Sequence, residues 1–333
     1  LQVCHLPRRD GAAGWDDQLA PRLSIDDLDG GAQDLVPRLH RRLVELDAGV
    51  PDLERMRGVR RRTLVRNEQR LRPAGDGLAV LRAAGIEGVL VGGGGVALAL
   101  GHLDLRPVHD VDVLVAPGDV APAARVLRQA GWRAGPRWLD GALLDVGGAA
   151  FAPPDHATGL NLRWSAAPPY DDAVAAGRPV LLGTAALAVA CPADLLLHTL
   201  LDGDRAAMPR SPRWASDGLA VLEAAADGGS PVDWDRVVGA ALRRGRARAL
   251  LDGLLLLEAL VPVDLPAEAV RALGGDRQPG WIRRLDPDPA ARPGLVTAIA
   301  RRAAADGPLG AARSLPALVR AGWASRRRGG PVR

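Results

Sequence analysis

The chain of 333 residues contains no lysine, so all 43 of its positive side chains are arginines. That absence changes the meaning of a pI near 10.1. Arginine does not titrate in the relevant range, and the formal net charge is only +4, too small to argue for a nucleic-acid partner by itself. The uniform arginine and the excess of Ala, Gly and Pro read as a compositional bias of the source. Cysteine is almost missing too. Cys4 and Cys191 are the only two, which excludes a disulfide framework and points to a reducing compartment. No apolar run reaches the roughly 18–20 residues that span a bilayer; residues 88–100 and 179–191 fall short, and 249–263 is interrupted by Asp252 and Glu258. Charges begin at Arg8 with no apolar signal region before them, so a cytoplasmic location is the expectation. There is no Cys/His metal cluster, no Gly-x-Ser-x-Gly elbow and no internal repeat.

What is present centres on residues 89–115. Val89-Leu90-Val91 reads as a buried strand, Gly92-Gly93-Gly94-Gly95 as a turn, and the residues after it as a helix at about 95–101. A second strand, 111–116, opens with Asp110 and Asp112. Residues two apart on a strand face the same way, so these acids form a paired carboxylate. Such a pair is costly unless a positive group lies between them, and a divalent cation carrying phosphates is the usual occupant. Consecutive glycines before a helix let phosphates approach the backbone and its free N–H groups. The same glycines formally satisfy a dinucleotide-binding fingerprint, Gly92 to Ala97. In that motif, however, the ribose-binding acid follows the apolar run of the second strand. Here Asp110 and Asp112 come before Val113-Leu114-Val115, which argues against it.

Around this centre the chain divides into three. Residues 1–75 comprise a Gly/Asp/Pro-rich lead-in and helical segments over 34–72, with Arg60-Arg61-Arg62 as a solvated helix face. Pro73-Ala74-Gly75-Asp76-Gly77 reads as a turn before a short helix ending at Gly85. Residues 76–185 alternate strands and helices. Asp119 is placed to cap a helix that stops at Gly131, and strands are expected at 136–139, 143–152, 160–164 and 179–182. Residues 186–333 read as helical, at 192–202, 214–226, 233–245, 246–260, 266–273, 290–305 and 308–325, with Asp233 as an N-cap.

Val91 to Ala99, Arg106 to Val115 and Leu127 to Trp132 together resemble the nucleotidyltransferase superfamily that has a DNA polymerase beta-like palm. The resemblance is greatest to its group of uncharacterised nucleotidyltransferases. Cys191 to His198, Arg213 to Asp217 and Val232 to Val237 look like that group's helical signatures. It implies an α/β (α+β) palm followed by an all-helical C-terminal domain. It also implies transfer of a nucleoside monophosphate from a nucleoside triphosphate to a hydroxyl or phosphate acceptor. Mg²⁺ or Mn²⁺ would be held by Asp110 and Asp112, with Gly93, Gly94 and Gly95 cradling the triphosphate. Arg106 matches the group's arginine, either on the carboxylates or phosphates or in a structural ion pair. His198 and Asp217 would face the cleft or make helix–helix contacts, while His109 is expected to be exposed and inert. Trp164, Trp214 and Trp234 are expected in packing. One position departs from the pattern. Asn161 stands where the group's third carboxylate belongs, and Arg163 where it has histidine. An amide cannot accept the proton of an attacking hydroxyl; Asp145 or Asp155 could substitute. The alternative is a weakly active or inactive nucleotide-binding or scaffold protein of the same fold.

Overall fold

The structure is a computed structural model that describes residues 24–28, 30–139, 146–156, 159–165, 170–183, 185–202, 212–227, 230–261 and 263–275. The helices expected at 290–305 and 308–325, and Asp145, lie outside the described residues. Ahead of the sheet, after short turns at Ile25–Asp27 and Gly30–Gln33, come α1 (Val36–Glu45) and α2 (Leu53–Ala83). The sheet then begins with β1 (Gly88–Val91), followed by α3 (Gly92–Ala99), β2 (Asp112–Val115) and α4 (Val120–Gln129). Three strands follow, β3 (Arg133–Leu139), β4 (Val146–Ala152) and β5 (Leu160–Ser165). A short α5 (Tyr170–Ala175) leads to β6 (Arg178–Leu182) and β7 (Ala185–Val189). Beyond the sheet come α6 (Pro192–Leu197), a π turn (His198–Asp202), α7 (Arg213–Asp227), α8 (Trp234–Arg243), α9 (Ala247–Leu260) and α10 (Ala267–Gly274). No helix among the described residues is long and apolar enough to cross a membrane.

The fold is mixed α/β, built on one seven-stranded sheet in the order β3-β4-β5-β2-β1-β7-β6. Central β1 and β2 are antiparallel, and their outer partners β7 and β5 run parallel to them. The central strands are buried throughout, as continuous Val/Leu runs covered on both faces should be. One apolar core extends from Leu71 through the sheet to Leu273, and α1 packs on the start of α2 in a small second cluster of Val36, Leu43, Val50 and Met56. An ion pair on buried Asp194, onto which half-buried Arg236 forks at 2.9 Å, ties α8 to α6.

Three local expectations are corrected. Residues 73–77 are not a turn: α2 runs unbroken through Pro73, so the division at 75/76 falls inside a helix. The glycines there allow close packing. A Cβ on Gly77 would meet Leu160 at 2.5 Å and Trp132 at 2.9 Å, and one on Gly75 would meet Leu187 at 3.3 Å. Helix and sheet therefore approach more closely than side chains would permit. The second correction is β7, which lies beside β1 although its Ala-rich run has weak strand propensity. The third is Asp119, which occupies the N-cap position of α4 without a side-chain capping bond. Gly131, at φ +85, ends α4 as expected, and Asp233 does cap α8 by accepting from the Arg236 N–H at 2.9 Å.

Candidate functional site

The end of β1, the starts of β2 and β5, and the N-terminus of α3 meet at one place. β1 feeds α3 directly, so the four glycines form the first turn of the helix rather than a loop before it. Gly92 has φ +58, a left-handed conformation that glycine adopts without steric cost. A Cβ on it would lie 3.1 Å from Asp112 Oδ2 and 3.2 Å from His198 Nε2. A carboxylate and an imidazole thus flank the same point, and the imidazole comes from the π turn, a distortion frequent at functional sites. A Cβ on Gly93 would overlap the Arg106 guanidinium. Gly94 and Gly95 turn their Cα atoms into the interior, and a Cβ on Gly95 would stand 2.8 Å from both Leu195 and the Leu90 carbonyl. What these two can offer a phosphate is their N–H groups, which a helix leaves unpaired in its first turn.

Asp112 is buried, 7% exposed. Its strand partner across the parallel β2–β5 register is Asn161. Asn161 Nδ2 donates to Asp112 Oδ1 at 2.9 Å, and Arg163 Nε lies 2.7 Å from the same oxygen. The two residues that depart from the family pattern therefore both act on Asp112. Asp110, by contrast, precedes β2 and is exposed. It lines a cleft of about 370 Å³ together with Asn161, Arg70, His109 and Arg133. Asp155 is exposed as well.

Arg106 enters from the loop before β2 and is buried, 8% exposed. It forks onto Asp217 of α7, Nε to Oδ1 at 3.0 Å and Nη2 to Oδ2 at 2.7 Å. Of the two roles left open by sequence, the structure shows the ion pair. Burial works against the charge, but Asp217 outweighs it, aided by Asp34 and Asp112, and holds the guanidinium above its usual range. Asn67 of α2 fixes this loop. Its Nδ2 donates to the Leu103 and Arg106 carbonyls at 2.6 and 2.7 Å, and its Oδ1 accepts from the Val108 N–H at 2.8 Å.

His109 is exposed as expected but not inert. Its Nε2 lies 3.0 Å from Asp34 Oδ1, and Arg213 pairs with the other carboxylate oxygen. Burial pushes the Asp34 carboxyl up, yet the His109 hydrogen bond and the charges of Arg213, His109 and Arg106 hold it below the usual carboxylate range. Trp214 is buried and Trp234 packs against the core; the side chain of Trp164 lies outside the described residues. Sequence reasoning missed Asn67, Arg70 and Asp34. Only the helical phase of Asn67 and Arg70 relative to buried Leu71 could have suggested them.

The donors fit a divalent cation only in part. Two carboxylates are the hard oxygen ligands that Mg²⁺ takes. Asp112, though, already has a guanidinium beside it and receives the NH₂ of Asn161 instead of facing its oxygen. A cation at Asp112 Oδ1 would compete with Arg163. Among the described residues no three His, Cys, Asp or Glu side chains gather as a metal cluster.

No curated protein is a significant match to the chain. A family model, described as uncharacterised nucleotidyltransferase, matches residues 31–262, a span holding every strand and every site residue named above. The chain belongs to the uncharacterised nucleotidyltransferase family.

Proposed function

We propose that the protein transfers a nucleoside monophosphate from a nucleoside triphosphate to an acceptor hydroxyl or phosphate. The carrying observation is that Asp112 opens β2 beside the glycine first turn of α3, with Asp110 two residues before it on the wall of the neighbouring cleft, within a chain of this family. The N–H groups of that turn and the positive end of α3 receive the triphosphate. The acceptor oxygen bonds to the α-phosphorus, the bond to the β-phosphate oxygen breaks, and pyrophosphate leaves. When bound by Asp110 and Asp112, Mg²⁺ or Mn²⁺ would supply charge neutralisation on the phosphates and a lowered acceptor pKa. Asn161 positions Asp112 instead of taking the proton, so the proton of a hydroxyl acceptor goes to water. Arg106 holds α7, with Asp217, over the α3 end of the site. The helices after β7 would form the all-helical domain that closes the cleft.

Release of pyrophosphate from an α-labelled nucleoside triphosphate in Mg²⁺ or Mn²⁺, abolished in Asp110→Asn and Asp112→Asn, is the expected result. A second reading is favoured by the Arg163 and Asn161 contacts on Asp112. In it, the site binds nucleotide with little turnover. Triphosphate binding without pyrophosphate release, together with release gained in Asn161→Asp/Arg163→His, would favour this second reading.

A further inference from the structure

The outer half of α2 carries Arg55, Arg62, Arg66 and Arg70, spaced by seven, four and four residues and so on one helix face. All four line a cleft of about 690 Å³ whose other walls include Gln33, Asp34 and His109. Much of the charge is already matched. Arg55 is taken by Asp26 and Asp52 at 2.7 and 2.9 Å. Asp34 on the opposite wall is taken by His109 and Arg213. Arg70 donates to the Val108 and His109 carbonyls, which orients it without neutralising it. Elsewhere on the helix Arg57 pairs with Glu54 and Arg60 with Asp104. Arg62 and Arg66, at mid-cleft, have no carboxylate partner among the described residues. The cleft therefore has excess guanidinium charge within the volume range of small-molecule sites, and guanidinium forks match phosphate oxygens. It also adjoins the Asp110 cleft, because Arg70 and His109 line both.

From this we infer that the α2 cleft binds the phosphate group of a small phosphorylated acceptor, whose reactive oxygen extends past Arg70 to Asp110. The assignment rests on the nucleotidyl-transfer reading and specifies the acceptor's class. A chain with net charge +4 and this confined cleft favours a compact phosphorylated molecule over a nucleic acid.

The test uses the full chain with inositol hexakisphosphate as a phosphate-dense probe, ATP–Mg²⁺ as the donor and a 20-base-pair DNA duplex as the competing class. Arg62→Gln/Arg66→Gln is expected to weaken the inositol phosphate by at least about tenfold while leaving ATP–Mg²⁺ binding unchanged. Arg61→Gln removes an equivalent charge outside the cleft and should change neither. Equal probe affinity in wild type and the double variant would overturn the proposal. So would tighter binding of the duplex than of the inositol phosphate, lost in the same variant. If ATP–Mg²⁺ fails to bind wild type while the probe still depends on Arg62 and Arg66, the phosphate cleft stands and the nucleotidyl-transfer reading falls.

Discussion

Two buried aspartates near the same glycine turn are each matched by an arginine, and the matches differ. Asp217 receives both prongs of the Arg106 fork, with side chains only 10% and 11% exposed. Asp112 has the Nε of Arg163 2.7 Å from Oδ1, an oxygen that also accepts from Asn161, and that arginine is more open, at 19%. A bidentate pair shut away from water is a structural clasp, because neither partner can leave without stranding a charge. A more open pair, whose carboxylate oxygen is shared with the Asn161 amide, exchanges more readily for another cation. The difference separates the part of the site that holds α7 in place from the part that can admit a ligand.

The largest effect should come from breaking the clasp. Arg106→Ala leaves Asp217 buried and uncompensated, and should cost about 3–5 kcal/mol in urea unfolding. Arg106→Met/Asp217→Leu should recover most of that loss. If the single variant unfolds like wild type, the two pairs do not differ in kind. Arg163→Met should cost only about 1 kcal/mol, the value of an ion pair discounted for its partial exposure. It should also raise Mn²⁺ affinity measured by electron paramagnetic resonance, since the competing guanidinium is gone. Unchanged Mn²⁺ affinity would show that Arg163 is no competitor.

Acid provides a milder probe of a third contact, Asp34 with His109 and Arg213. The folded state holds the Asp34 carboxyl low, so its contribution is full above the unfolded carboxylate value and is lost as pH falls through the lower folded one. Urea midpoints should therefore decline below about pH 4, and less steeply in Asp34→Asn. The smallest effect concerns Cys191, whose thiol donates to Asp194 at 3.2 Å. Burial and the Asp194 charge push it up to about 11. At pH 8 it should react with an aromatic disulfide reagent far more slowly in the native protein than in urea, as measured in a Cys4→Ser background.

How much of this was legible in sequence depended on distance along the chain. The glycine run, Asp112 and Arg106 lie within one short stretch, and the fold keeps them together, Gly92 against Asp112 and Gly93 against Arg106. The helices between Pro192 and Gly274 were legible for the same reason, because period and caps are local signals. Pro73, Gly75 and Gly77 were misread because proline and glycine mark turns by default. Their role here depends on Trp132, Leu160 and Leu187, which only the folded sheet brings under the helix. Asn161 could be noticed as a missing acid, but not that it and Arg163 would both converge on Asp112, since that follows from the β2–β5 register. The acid partners of Arg106 and His109 were hidden likewise, one 111 and the other 75 residues away.

The unbroken course of α2 through Pro73 also carries a genetic consequence. One rod bears the arginine stripe at its outer end and the glycine seat on the sheet at its inner end. Each inserted residue would turn one end against the other by about 100°. A single codon gained between Arg70 and Leu71 would swing Arg62 and Arg66 away from the cleft without altering either residue. Seven codons would bring them back close to their original direction, displaced by roughly 10 Å along the axis. Length changes in this helix should thus be far less tolerated than substitutions on its surface, and those that survive should come in sevens.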